Sequence, residues 1–268
     1  MRTERRFGAH VLLRTPEPSS SVAELVLDRP TAMNAISTDM ARALADACAF
    51  LAATRTISVA VLTSTSERAF CVGADLKERN SFTDAELARQ RRYMKALYLA
   101  VLELPMPLLA AVHGFALGGG YELALACDVI VADPTAVVGL PEVSVGGIPG
   151  GGGTQRLPRR VGAARAAHLI YTARRVPAQE ALRLGLVDVL TDQGEDGTAA
   201  LALAARMAAH SPVGLRAAKQ ALRQGEGVNL RTGLDVEDAA WHAVAFSGDR
   251  AEGVAAFNER RAPRWPAA

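Results

Sequence analysis

The feature that most constrains this chain is an alternation. Short, continuously apolar runs, "ISVAVLTST" (57–65), "LLAAVHG" (108–114) and "DVIVAD" (128–133), are separated by stretches with apolar residues at helical spacing. Runs of that length and composition read as buried strands. Upstream, "HVLLRT" and "VAELVLDRP" flank the Pro/Ser segment "PEPSSS" and read as a hairpin. The intervening "STDMARALADACAFLAAT" is a helix with Ser37 or Thr38 as its cap. A second helix spans about 83–103 and is stopped by "LPMP". "AVVGLPE" is a further short strand, and "GGIPGGGGTQRLPRRVG" is a glycine-rich loop turning into a helix. Strands alternating with helices imply an α/β architecture with crossover connections.

The pattern changes after "DQGEDG". From about residue 196 onward the chain reads as helices: "TAALALAARMAAH", "PVGLRAAKQALRQG", "LRTGLDVEDAAWHAVAF" and "DRAEGVAAFNERR". The expected division is therefore an α/β core over 1–195 and a helical region over 196–268 that packs on a partner subunit. With 268 residues, half of them hydrophobic, the chain can bury a substantial core.

Composition excludes several classes. A net charge of +2 favours no strongly charged partner, and only three of the 30 basic residues are lysine (Lys77, Lys95, Lys219). Arg156, Arg159, Arg160, Arg165, Arg174 and Arg175 form a basic stretch, but they alternate with apolar positions. A solvated helix face is the reading there, against a nucleic-acid patch. Cys48, Cys71 and Cys127 lack CxxC spacing and read as small buried hydrophobes in a reducing compartment. No zinc spacing or P-loop is present, so no metal is expected. The first ten residues have no apolar stretch behind their charges, and no run approaches the roughly 20 residues of a membrane span. A cytoplasmic protein without a membrane anchor is expected.

Chemistry concentrates at three places. In "HGFALGGGYELALACD" (113–128) glycines turn the backbone sharply at a strand end, and the first N–H groups of the next helix lack internal partners. Such N–H groups, backed by the helix dipole, suit an oxygen that gains negative charge. Glu122, in the first helical turn, faces the same space or merely offsets the dipole in a packed glycine corner. "FCVGADLKER" (70–79) repeats the device, with Gly73 at the turn and the Ala74 N–H outward; the alternative is a loop capped by Asp75. Together the two turns supply two donors to one oxygen. Glu142, in "LPEVSVGGIPGGGGTQRL", is a carboxylate in an apolar stretch, and paired with Glu122 it would share acid–base work. His113 reads as structural.

These segments resemble the successive signatures of the enoyl-CoA hydratase/isomerase (crotonase) superfamily. The quoted residues are "LDRPTAMNAIS", "AFCVGADLKE", "HGFALGGGYELALACD" and "LPEVSVGGIPGGGGTQRLPRRVG", and the likeness continues through "AQEALRLGLVDVL", "SPVGLRAAKQAL" and "EGVAAFNERRAPRW". The resemblance implies a spiral of β-β-α units with a C-terminal helical region that builds trimers, often paired as hexamers. It implies an acyl-CoA substrate and no separate cofactor. Catalytic roles would fall to the N–H groups of Ala74 and Gly119 and to the two hydratase glutamates, Glu122 and Glu142. Coenzyme A contacts would fall at Ala32, Met33, Asn34 and Ala35, at Ala74, Asp75, Leu76 and Lys77, at Gly118, and at Phe257 and Arg261. Asp28 stands where asparagine is common, and "ERRAPRW" where lysine is common. The reaction implied is hydration of a trans-2-enoyl-CoA, with double-bond isomerisation or other acyl-CoA chemistry on the same scaffold as the alternative, and an RNA-binding or non-catalytic subunit as a remote one. Residues 78–103 are expected to line the acyl pocket. Arg91 and Arg92 are candidates there to pair with a substrate carboxylate, solvent-facing roles being the alternative.

Overall fold

A computed structural model describes residues 3–16 and 20–267. The chain opens with an antiparallel meander: β1 (Thr3–Phe7), β2 (Val11–Thr15) and β3 (Val22–Leu27). The β2–β3 hairpin is as expected, although residues 17–19 of its turn lie outside the described residues. The strand β1 was not anticipated, because its sequence TERRF is charged and it forms the exposed edge.

After β3 the chain coils through repeated turns of one design. Helix α1 (Thr38–Ala53), capped by Ser37 accepting from the Met40 N–H, leads to β4 (Val59–Ser64), β5 (Ala69–Cys71), α2 (Leu76–Arg79) and α3 (Asp84–Leu102). The next turn is β6 (Leu108–Val112), β7 (Phe115–Leu117) and α4 (Gly119–Ala126). A third comprises β8 (Val129–Ala132), β9 (Val137–Gly139), α5 (Gly153–Val161) and α6 (Ala163–Tyr171). Then come β10 (Arg175–Pro177), α7 (Ala178–Leu184) and β11 (Val189–Leu190). The helical end is α8 (Asp196–Ala208), α9 (Pro212–Gly225), α10 (Leu230–Ala245) and α11 (Gly248–Glu259).

Each turn gives its first strand to a seven-stranded sheet, ordered β1-β2-β3-β4-β6-β8-β11, and its second to a four-stranded sheet, ordered β10-β9-β7-β5. From β3 to β11 the large sheet is parallel, as are β5, β7 and β9 in the small one. The apolar runs fail to alternate because both faces of the large sheet are covered. Ala60, Leu62, Ala110 and Val112 enter the main core, while Val59, Val61, Leu109 and Val131 pack outward on Ala200 and Ala204 of α8. Thus the first of the C-terminal helices covers the body's sheet, and α9 is tied to the body by Lys219 and Arg223. Their charged groups grip the Asp128 carboxylate, each at 2.8 Å. Leu222, Leu230, Trp241 and Phe257, on α9–α11, and Phe246, just after α10, remain exposed.

His113 is structural, as read from sequence. Its ring nitrogens meet Asp196 Oδ2 at 2.9 Å and the Ser66 carbonyl oxygen at 2.7 Å. Both partners only accept, so the ring satisfies both as an imidazolium. The three cysteines are free and buried.

Candidate active site

The spiral brings the ends of β5 and β7 side by side. Gly73 (φ +89°) and Gly118 (φ +53°) turn the chain there in the left-handed region that favours glycine. The turns touch: a Cβ on Gly73 would lie 2.9 Å from the Gly119 nitrogen, and one on Gly119 would lie 3.7 Å from the Ala74 nitrogen. At Gly120, a Cβ would overlap the Cys71 carbonyl, so α4 can lean on β5 only with glycine at that position. The Ile36–Ala74 bridge engages the Ile36 and Asp75 N–H groups and bypasses that of Ala74. Gly119 is the first residue of α4. Among the described residues, therefore, neither the Ala74 nor the Gly119 N–H has a protein acceptor. Both residues line a cleft of about 960 Å³.

Two carboxylates line the same cleft. Glu122 is 2% exposed. Its Oε1 accepts from the Gly151 and Gly153 N–H groups, each at 2.7 Å, and its Oε2 has no hydrogen-bond partner among the described residues. Burial raises its pKa, while the two N–H groups and the charges of Arg156 and Arg91 oppose the rise. Glu142 begins the short 3-10 turn Glu142–Val145 and aims Oε1 at Gly118, 3.1 Å from where a Cβ would be. Its Oε2 is buried without a protein partner among the described residues. Burial, aided by the Glu122 charge, pushes the Glu142 carboxyl up to about 7. The site thus pairs an anchored carboxylate with one that holds its proton near neutrality.

Two site residues were not identified from sequence. Tyr98 is buried, and its hydroxyl donates to the Gly119 carbonyl oxygen at 3.0 Å. The spacing 84, 87, 91, 94, 98 would have placed it, since all five positions fall on the cleft side of α3. Arg156 corrects the solvated-face reading of the arginine stretch. Its Nη2 donates to the carbonyl oxygens of Glu122 (2.9 Å) and Gly151 (2.6 Å), and its Nε is buried. It clamps α4 to the loop that holds Glu122. The other arginines disperse: Arg160 binds Asp188 and Arg174 binds Glu180, while Arg175 lines the cleft.

The expected coenzyme A contacts divide. Gly118, Ala74 and Leu76 line the cleft. Asp75 caps α2 and pairs with Arg29 at 2.6 Å, so the capped-loop reading of that turn holds, with the Ala74 N–H left unpartnered beside it. Asn34 is fully buried; its amide donates to Ser64 Oγ and the Phe70 carbonyl, and its Oδ1 accepts from the Arg29 N–H. That side chain braces the turn and offers nothing to a ligand. Ala32, Met33 and Ala35 flank it beside the 72–75 turn, where the Met33 carbonyl accepts from the Val72 N–H at 3.2 Å. Lys77 is exposed on α2. Phe257 and Arg261 lie outside the cleft: Phe257 is exposed, and Arg261 pairs with Glu252 and Glu259. Among the described residues no group of three or more His, Cys, Asp or Glu could hold a metal ion, and no helix is long and apolar enough to cross a membrane.

Comparison with known proteins gives the family and the fold. The family model described as Enoyl-CoA hydratase/isomerase matches residues 17–267. The chain belongs to this family. A crystal structure of an enoyl-CoA hydratase from Bacillus anthracis superimposes with a TM-score of 0.93 at 37% identity, covering 97% of this chain and 100% of that one. The spiral of strand pairs and helices is thus the crotonase fold. Within the family, the mitochondrial enoyl-CoA hydratase domain-containing protein 2 of Mus musculus is 39% identical over 273 residues, covering 97% of this chain and 92% of its own. The mitochondrial methylglutaconyl-CoA hydratase of Rattus norvegicus is 40% identical over 253 residues, covering 93% of this chain and 80% of its own.

Proposed function

We propose that the protein is an enoyl-CoA hydratase, adding water across the double bond of a trans-2-enoyl-CoA to give a 3-hydroxyacyl-CoA. The observation that carries this reading is the conjunction of two free N–H groups, Ala74 and Gly119, with two glutamates on one cleft. The thioester carbonyl accepts from both N–H groups, and the N-terminus of α4 adds its dipole as the oxygen becomes an enolate. Glu122, through Oε2, removes a proton from the water that attacks Cβ. Glu142 delivers a proton to Cα. The pair passes through opposite protonation states and keeps its total proton count, so no metal or redox cofactor is required. An isomerase needs chiefly one base, whereas this cleft presents two carboxylates with distinct environments.

Coenzyme A is assigned to the 32–35 and 74–77 segments, with Lys77 near its nucleotide. The exposed apolar residues of α9–α11 support self-association as a trimer or a dimer of trimers, in which Phe257 and Arg261 reach a neighbouring subunit's ligand. In this reading 1–195 carries the chemistry, 196–268 the assembly, and nucleic acid is not a partner. Three buried free cysteines suit a reducing compartment such as the cytoplasm.

The test is to offer crotonyl-CoA and follow loss of the conjugated thioester absorbance, with mass analysis of the product. Gain of one water supports hydration. Loss of conjugation with unchanged mass on substrates that have a movable double bond would instead establish isomerisation.

A further inference from the structure

Among the charged groups of the cleft that none of these steps uses, Arg91 acts on the Glu122 end of it. The cleft side of α3 carries Leu87, Arg91, Met94 and Tyr98, opposite the loop residues Val145, Ile148 and Gly150. Those apolar side chains share the cleft with Asp84 at the start of α3, Ser144 and Arg175. Arg91 is exposed, with its guanidinium beside Gly150: Nη1 lies 3.5 Å from where a Cβ of that glycine would be. Gly150 adjoins Gly151, whose N–H anchors Glu122. Arg91 therefore stands on the Glu122 side of the cleft, near enough for its charge to act on that carboxylate. Of the other arginines near the site, Arg79 donates to Gln90, Arg156 to two carbonyl oxygens and Arg29 to Asp75, while Arg175, also on the cleft, has no side-chain partner among the described residues and is the control below. Among the described residues Arg91 has neither an ion pair nor a hydrogen bond.

An unpaired guanidinium gives nothing to a saturated tail. It would match a carboxylate, which it can take through two parallel N–H bonds. Because Arg91 is one glycine removed from the Glu122 anchor, that carboxylate must follow Cβ by only a short spacer. We infer that Arg91 is a specificity residue that pairs with a carboxylate at the distal end of the acyl chain, so that the preferred substrates are short dicarboxylic enoyl-CoA thioesters. This rests on the hydratase reading for the reaction, but the binding it invokes is measurable separately.

The test compares glutaconyl-CoA with trans-2-pentenoyl-CoA, two five-carbon thioesters of which only the first ends in a carboxylate. Calorimetric binding of their saturated counterparts, glutaryl-CoA and pentanoyl-CoA, runs in parallel. Wild type should favour the carboxylated member of each pair. Arg91→Met should lower that preference by roughly ten- to a hundredfold, the range for losing a charge-assisted hydrogen-bonded pair, and Arg91→Lys should restore part of it. Equal losses on both members would overturn the inference, as would preference lost in Arg175→Gln and kept in Arg91→Met. Glutaryl-CoA binding no tighter than pentanoyl-CoA would also overturn it. Should neither enoyl-CoA be hydrated while glutaryl-CoA keeps its Arg91-dependent advantage, the hydratase reading fails and the anchor stands.

Discussion

Replacing Glu122 by glutamine separates chemistry from architecture. In the native site Oε1 accepts from two loop N–H groups, both at 2.7 Å, and Oε2 is left to act as base. A glutamine amide oxygen can accept the same two bonds, and its nitrogen then occupies the Oε2 position, where it cannot take a proton from water. A positioned general base contributes about 10²–10⁴-fold, so Glu122→Gln should lose roughly 3–5 kcal/mol of transition-state stabilisation. Stability should move the other way. Burial disfavours the ionised Glu122, and a neutral amide removes that penalty, so Tm should hold or rise. Glu122→Ala makes the contrast: it strands two buried N–H groups, which costs about 1–3 kcal/mol apiece. The assay is kcat/KM on the substrate the wild type hydrates best, alongside thermal unfolding of all three proteins. A glutamine variant within about threefold of wild type would refute the assignment of Oε2 as base, because a lost base of this kind costs at least about a hundredfold.

Other expectations follow from the same geometry. Glu142 gives its proton only below its pKa of about 7, so kcat/KM should fall as pH rises through that value; Glu142→Gln should be severely impaired, and its residual rate should lack that limb. Gly120→Ala should destabilise by about 3 kcal/mol or more, measured by denaturant unfolding, since its methyl overlaps the Cys71 carbonyl. The pKa of His113 is raised above its ordinary 6.5, first by the hydrogen bond to Asp196, so its contribution is full below about 6.5 and fades as pH climbs through the raised folded-state value. Asp196→Asn should flatten that part of the stability–pH curve. Arg156→Met should lower kcat more than it raises KM, and should shift upward the pH at which Glu122 becomes active, since a cation beside that carboxylate is lost.

Much of this could be read from sequence because the signals were local. Continuous apolar runs announced strands covered on both faces, and glycines beside strand ends announced bare N–H groups. What escaped depended on other parts of the fold. The three-residue strands β7 and β10 are too short for periodicity, and β1 is a charged edge. Arg156 looked solvated because its helix is polar, yet it turns inward to carbonyl groups of two other segments. Asn34 looked available to a ligand, but three hydrogen bonds hold it inside the turn. Phe257 and Arg261 have no place in the cleft of one protomer, so no local pattern could have seated them there.

The junction of β5 and β7 has a consequence for how such an enzyme can change. The two donors proposed to bind the thioester oxygen are main-chain groups at the ends of paired strands, so replacing side chains around them leaves them in place. The groups proposed to move protons, by contrast, are ordinary side chains at positions 122 and 142. Rewriting those two letters would redirect the fate of an enolate without dismantling the means of making it. The division offers a protein engineer a fixed half and an editable half.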